Sequence, residues 1–360
     1  MFQERIEKVR ANMKADNMDA MLVTSTDAIY YLLGIEIHAG ERMIVLSVLK
    51  DEIKLYINAL FPLADMKIPV CYFNDVDDPV SLLSESLKSS KRIGVDKDWP
   101  SRFLLKLMKV KPDADYIDGS FTVDMARLIK AEDEKVLMRK ASEVNDAVMG
   151  MMFNALSERV LTEIEAQEVI KESNASLGVN RLSFTPLICF GKGGAEPHHD
   201  SDETKLMPDQ GIIVDIGGRR EGYCSDMTRS FFYGTPSEEY IKVYNLVLAA
   251  NLAAIKQVKP GVSFKSIDEA ARAVIRDGGY GDYFTHRTGH GIGINVHEFP
   301  DVSAANEMIC QAGMVFSIEP GIYLDGKFGV RIEDLVLVTE DGCEVLNAYP
   351  KELKVIPVHD

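Results

Sequence analysis

Paired cysteines, an excess of basic charge and long apolar runs are all missing from this chain, and each absence removes a class of protein. The five cysteines (Cys71, Cys189, Cys224, Cys310 and Cys343) are odd in number, irregularly spaced and without a Cys-x-x-Cys pair. Neither a disulfide framework nor a zinc knuckle is expected, and a reducing, cytoplasmic setting fits best. No apolar run reaches the roughly 18 residues that mark a spanning helix. The first residues, Met1 to Ala15, mix charges with Ile6, Val9 and Met13 at helical spacing, which is not the apolar stretch of an export signal. No membrane partner is expected. Acidic residues outnumber basic ones 56 to 40, giving a net charge of −16 spread along the chain, a poor match to polyanions, so nucleic-acid binding is not expected. Repeats at solenoid periods and low-complexity tracts are also missing.

With 360 residues, 46% of them hydrophobic, the chain exceeds the roughly 250 to 300 residues at which a single core stops growing. Two domains are expected. From residue 1 to about 124, strand-like runs at Ala20 to Thr24, Arg42 to Val48, Ile53 to Ile57, Val70 to Phe73 and Arg92 to Val95 alternate with helical stretches, which predicts an α/β domain. Residues 125–360 open on an amphipathic helix over Ala131 to Leu156, with Val136, Leu137, Ala141, Val144, Val148, Met151 and Met152 as its apolar stripe. Thr162 with Glu165, Thr235 with Glu238 and Ser266 with Glu269 carry the capping-box pattern and mark three helix starts. Strand candidates lie at Gly211 to Ile216, Ser225 to Phe232, Val315 to Ile318 and Leu335 to Val338, so this half is mixed α+β.

Five of the seven histidines (His198, His199, His286, His290 and His297) fall between residues 198 and 297. Glycines flank His290 at 289, 291 and 293, but Ile294 stands where a dinucleotide loop needs its last glycine. Asp215 and Asp226 sit in apolar strand sequence, where an unpaired charge is costly. A hairpin through Arg219 to Gly222 would place them directly opposite each other on one sheet face. Glu319 and Glu333 flank a second hairpin signal, Asp325-Gly326, in the same way. Four carboxylates converging with an imidazole are tolerable only with about two divalent cations among them. That donor set favours Mn²⁺ or Co²⁺, with Zn²⁺ or Fe²⁺ as alternatives, and a cation pair is suited to hydrolysis.

These residues resemble the pita-bread metallopeptidases, a family that includes methionine aminopeptidase, aminopeptidase P and prolidase. The likeness is carried by Val214-Asp215-Ile216-Gly217, Ser225-Asp226-Met227-Thr228-Arg229, Thr288-Gly289-His290-Gly291-Ile292-Gly293, Ser317-Ile318-Glu319-Pro320-Gly321 and Arg331-Ile332-Glu333-Asp334. It implies a C-terminal pita-bread catalytic domain with Asp215, Asp226, His290, Glu319 and Glu333 as metal ligands. It also implies Glu319 as general base, His198 and His297 as substrate-contacting and proton-handling histidines, and Arg331 as the arginine beside the last ligand. The N-terminal domain resembles the extra domain of the proline-specific branch, so the expected activity is hydrolysis of Xaa-Pro bonds in dipeptides or short peptides. The Val296-His297-Glu298-Phe299-Pro300 run looks more like prolidase than aminopeptidase P, the alternative for longer peptides. Asp301 stands where some prolidases carry a basic residue for the dipeptide carboxylate; Arg287 or Arg331 would then supply the charge. Related enzymes form homodimers that bring an N-terminal loop toward the neighbouring site, which makes His38, Glu41 and Arg42 candidates. An inactive peptide-binding module on the same fold and creatinase-like hydrolysis are the competing readings, and the complete ligand set speaks against both. Taken alone, each strand aspartate is more often structural than a ligand, and His199, His286 and Cys224 stay evenly balanced between packing and support of the site.

Overall fold

The computed structural model describes residues 2–197 and 199–359 and divides into two compact units, Met1–Arg127 and Leu128–Asp360. The first unit holds a six-stranded sheet of β1 (Ala20–Val23), β2 (Val45–Leu49), β3 (Ile53–Asn58), β4 (Val70–Phe73), β5 (Arg92–Val95) and β6 (Asp115–Asp118), in the order β4-β3-β2-β1-β5-β6. The β1-β2-β3 meander is antiparallel, while β4, β5 and β6 join their neighbours in parallel, with a helix between β4 and β5 and another between β5 and β6. Leu22, Val45, Tyr56, Leu83 and Ile93 share its core. β6 was not expected: its two ends, Asp115 and Asp118, are exposed and polar, so the strand lacks an apolar run.

The second unit is mixed helix and sheet. Its long helix, Glu132–Glu158, packs Met138, Ala141, Val148, Met152 and Leu156 inward. Val136 and Met151, expected in the apolar stripe, are exposed instead. Thr162 caps the helix Glu163–Ser176 with the full reciprocal pair, its Oγ1 accepting from Glu165 N while Glu165 accepts from Thr162 N. The other two expected caps are displaced. Ser237 and not Thr235 caps Glu238–Gln257, and Ser263 and not Ser266 caps Phe264–Asp277. In both places two hydroxyl residues lie close together, and the cap is the one whose side chain reaches the N–H three residues on.

Two sheets carry the site. In the first, β7 (Leu187–Phe190), β8 (Gln210–Ile216) and β11 (Met227–Tyr233) are antiparallel neighbours, with β19 (Lys354–Ile356) on the outer side of β11. Between β8 and β11, the short pair β9 (Arg219–Arg220) and β10 (Tyr223–Cys224) turns at Glu221 and Gly222, both in the left-handed region at φ 48° and 88°. This two-residue turn sets the register, so Asp215 faces Thr228 and not Asp226. The expected direct opposition of the two aspartates is therefore corrected to a diagonal one. Asp226 lies two residues from Thr228, an even step that keeps it on the face of Asp215.

The second sheet has the order β13 (Glu298–Val302), β12 (Gly289–Gly291), β14 (Val315–Ile318), β17 (Asp334–Val338) and β18 (Cys343–Val345). The chain from β14 continues as β15 (Gly321–Leu324) and returns as β16 (Phe328–Arg331) around Gly326, which has φ 69°. Ile318 pairs with Asp334 on one side of a gap and Gly321 with Arg331 on the other. One continuous register thus spans the interruption at Pro320, and it sets Glu319 opposite Glu333.

Candidate metal centre

The gap in the β14–β17 ladder, the β8–β11 hairpin and β12 converge on a cavity of about 520 Å³ whose lining includes Asp215, Asp226, His290, Glu319 and Glu333. Donor atoms of Asp226, His290 and Glu333 lie within 4.8 Å of one another, all three residues buried. His290 Nε2 is 3.3 Å from Glu319 Oε1 and 3.7 Å from Asp226 Oδ2. Asp215 is held differently, with its Oδ2 accepting from Arg331 Nη2 at 2.7 Å. The structure thus gathers all five expected donors around one space, three of them within chelating reach of each other.

The electrostatics describe a site short of positive charge. Asp215 Oδ1, Asp226 Oδ1 and Glu333 Oε1 are buried without a hydrogen-bond partner among the described residues, an arrangement that costs stability unless a cation supplies the missing interaction. Burial, followed by the neighbouring carboxylates, pushes the carboxyls of Asp226 and Glu333 well above their ordinary range. Burial likewise pushes Glu319 up to about 7, with Asp215 adding to the rise. His290 moves the opposite way, down to about 3, because burial and the nearby His297 disfavour its charged form. A neutral imidazole is the form that binds metal. Its Nδ1 lies 3.1 Å from the Gly291 carbonyl, which accepts only, so Nδ1 carries the proton and Nε2 presents its lone pair to the carboxylates. Oxygen donors with one imidazole suit a divalent cation, so these residues fit such an ion.

Several residues outside the expected ligand set hold the donors in place. Thr228 Oγ1 donates to Glu333 Oε2 at 2.8 Å and accepts from Arg331 Nε at 3.1 Å. Ser317 Oγ accepts from His290 N at 3.0 Å and donates to Glu319 Oε1 at 3.1 Å. Asn347 accepts from Leu335 N and donates to the Asp226 carbonyl. Beneath them, Arg229 and Asp334 form a fully buried pair at 2.8 Å, and Arg229 also donates to the Glu333 carbonyl at 2.6 Å. Asn251, on the helix Glu238–Gln257, donates to the carbonyls of Ile318 and Ile332, the residues just before Glu319 and Glu333. It bridges the two strands where Pro320 breaks their ladder. Asn251→Ala is expected to lower stability by about 2 to 4 kcal/mol by orphaning two buried carbonyls. Urea unfolding of wild type and variant checks this, and an unchanged midpoint would remove the assignment.

Of the remaining expected site residues, three line the same cavity. His297 lines the cavity with its ring centroid 4.2 Å from that of His290, nearly perpendicular to it. Arg331 is buried and turns its donors to Asp215, Tyr323 and Thr228. Arg287 reaches the cavity from its rim, paired with Asp301. His38 lies in the first unit, largely exposed beside Glu36, and His198 lies outside the described residues. His286 proves to be part of the lining. Its Nδ1 is 2.7 Å from the Arg287 carbonyl, so its Nε2 accepts from Tyr323 Oη at 2.8 Å, and that oxygen in turn accepts from Arg331 Nη1 at 3.0 Å. His199 belongs to a separate cluster, its Nε2 2.8 Å from the buried Glu163.

The comparisons agree with this geometry. Residues 136–340 match the model of metallopeptidase family M24, and residues 5–129 match the creatinase/prolidase N-terminal domain. An uncharacterized peptidase of Staphylococcus aureus (strain USA300) is 35% identical over 96% of this chain and 99% of its own length. Among solved structures, a recombinant prolidase from Thermococcus sibiricus superposes with a TM-score of 0.94 at 33% identity, covering 99% of each chain. The dipeptidase PepE from Mycobacterium ulcerans does so with 0.92 at 33% identity, covering 99% of this chain and 98% of that one. This chain belongs to metallopeptidase family M24, with the pita-bread catalytic domain preceded by a creatinase/prolidase N-terminal domain.

Proposed function

We propose that this metallopeptidase is an Xaa-Pro dipeptidase working with two divalent cations, Mn²⁺ first among the candidates. The observation that carries the cation pair is the set of three orphaned carboxylate oxygens around one neutral imidazole. One cation would satisfy only part of that set. Asp215, Asp226, His290, Glu319 and Glu333 would together hold the pair. When bound, such ions supply Lewis acidity that polarises a carbonyl and makes water a better nucleophile near neutral pH.

The chain's own side chains do the rest. Glu319, 3.3 Å from His290 Nε2 on the cavity wall, is placed to take a proton from the attacking water and hand it to the departing proline nitrogen. His297, beside His290 on the cavity wall, donates to the developing oxyanion. His198 contributes to the same substrate contact, as the sequence motif implies. Arg331, committed to Asp215 and Tyr323, fixes the geometry of one ligand. The prolidase and dipeptidase likenesses and a cavity of about 520 Å³, at the small end of ligand sites, support a short substrate. Aminopeptidase P action on longer peptides is the second reading. Assays of Ala-Pro against Ala-Pro-Ala-Ala with added Mn²⁺ decide between them. The dipeptide is expected to have the higher kcat/KM by at least about tenfold, and the reverse preference would replace this reading with the aminopeptidase one.

A further inference from the structure

Resting on the dipeptidase reading, in which His297 acts on the substrate, the inference concerns what holds that imidazole in place. We propose that Glu298 is the positioning residue for His297, its carboxylate bracing the bend that presents the imidazole between the buried Lys130 and the backbone of Asn295. The bend connects the end of β12 at Gly291 to the start of β13 at Glu298, and residues 292–297 lie outside the β12–β13 ladder. His297 is exposed, so burial does not fix its ring, whose centroid is 4.2 Å from that of His290. Exposed segments with few backbone bonds are the ones that open locally, whereas a group acting on a substrate must be held to within about 0.5 Å.

Three observations place the Glu298 carboxylate against the bend. Its Oε1 accepts from Asn295 N at 2.9 Å, which closes the bend on itself three residues back. Its Oε2 lies 3.5 Å from Lys130 Nζ, in an ion pair whose side chains are 3% exposed at the lysine and 6% at the glutamate. Gly293 packs on the same carboxylate: a Cβ there would meet Glu298 Oε1 and Oε2 at 2.8 Å each, closer than side-chain carbons come. The last of the glycines at 289, 291 and 293 thus leaves room for the protein's own carboxylate. Lys130 is anchored in turn, its N donating to the Gly313 carbonyl at 2.9 Å. The start of the bend is tied to Cys224, whose N donates to the Gly293 carbonyl at 2.7 Å and whose Sγ donates to the Ile294 carbonyl at 3.2 Å. A buried ion pair carries a desolvation cost that apolar side chains would not, so what it contributes is a fixed geometry more than stability. Here the geometry fixed is that of the residue beside Glu298, the imidazole of His297.

The test measures kcat and KM for Ala-Pro, together with Mn²⁺ retention, on the Mn²⁺-loaded full chain. Glu298→Asp keeps a charge beside Lys130 but draws the carboxylate back from Asn295 by one methylene. Gly293→Ala alters no charge and displaces the carboxylate. Each is expected to lower kcat about tenfold while KM stays within about twofold, and to retain Mn²⁺ as wild type does, because none of the five expected donors is changed. In a His297→Asn background the same substitutions are expected to cost less than about twofold more, since the imidazole they position is already gone. Unchanged kcat in both variants, loss of Mn²⁺ from both, or a full further tenfold loss in the His297→Asn background would overturn the proposal while leaving the dipeptidase reading intact. If His297→Asn itself keeps kcat within about twofold of wild type, the role given to His297 in that reading falls, and the inference with it.

Discussion

Glu319→Gln is expected to lower kcat on Ala-Pro by about a thousandfold, with the protein still folded. The substitution keeps the volume of the side chain and its contact with Ser317 Oγ, 3.1 Å away. It removes the proton acceptor and one anionic donor facing His290 Nε2 at 3.3 Å. The proposed account makes Glu319 serve both the water and the cations, so loss should appear in kcat and also as weaker Mn²⁺ retention. Steady-state kinetics at saturating Mn²⁺ separates the two. If kcat stays within about threefold of wild type under those conditions, Glu319 is not the general base and the proton path must lie elsewhere.

The second large effect is on metal removal and its pH dependence. Chelation is expected to abolish activity reversibly, with Mn²⁺ or Co²⁺ restoring more than Mg²⁺, whose preference for octahedral oxygen suits a site containing His290 poorly. Stability should follow. Glu319 titrates at about 7 in the metal-free fold against an ordinary 4.5, and Asp226 and Glu333 are raised in the same direction. In the window between 4.5 and 7 the native state holds more protons than the unfolded chain, so the metal-free protein loses stability as pH rises through it. Cations reverse this, because they bind the deprotonated carboxylates. At a free concentration 100 times Kd, each site would contribute about 2.7 kcal/mol. The difference in Tm between Mn²⁺-loaded and metal-free protein is therefore expected to be several degrees larger at pH 8 than at pH 5.5. Thermal unfolding at the two pH values checks it, and a difference independent of pH would contradict a carboxylate-rich site.

How far the sequence disclosed this site depends on what each residue's placement rests on. Glu319 and Glu333 could be set opposite each other because Asp325-Gly326 marks the turn midway between them, and the register carries through the break at Pro320. Asp215 and Asp226 were placed on one face, but two residues out of register. The turn is made by Glu221 and Gly222 in left-handed conformations, and a glutamate gives no sign in advance that it will adopt one. Helix starts at Thr235 and Ser266 were misplaced because a neighbouring serine could cap instead. Asn251 and Tyr323 carried no signal at all, and Thr228 stood in a family motif without a role. Their partners lie far along the chain, as with Thr228 and Glu333 or Asn251 and the carbonyls of Ile318 and Ile332. A polar residue in an apolar run says only that some partner exists. The family motifs mark the ligands, whereas the hydrogen bonds that aim them become visible only once the strands are paired.

No helix among the described residues is long and apolar enough to cross a membrane. The hydrogen bonds that aim the ligands lie within the second compact unit, Leu128–Asp360, and the account stands on what that unit can bind. Anomalous diffraction from crystals grown with Mn²⁺ measures that directly. The account predicts two manganese peaks roughly 3.5 to 4 Å apart, both among Asp215, Asp226, His290, Glu319 and Glu333. A single peak, or density at none of these five side chains, would contradict it.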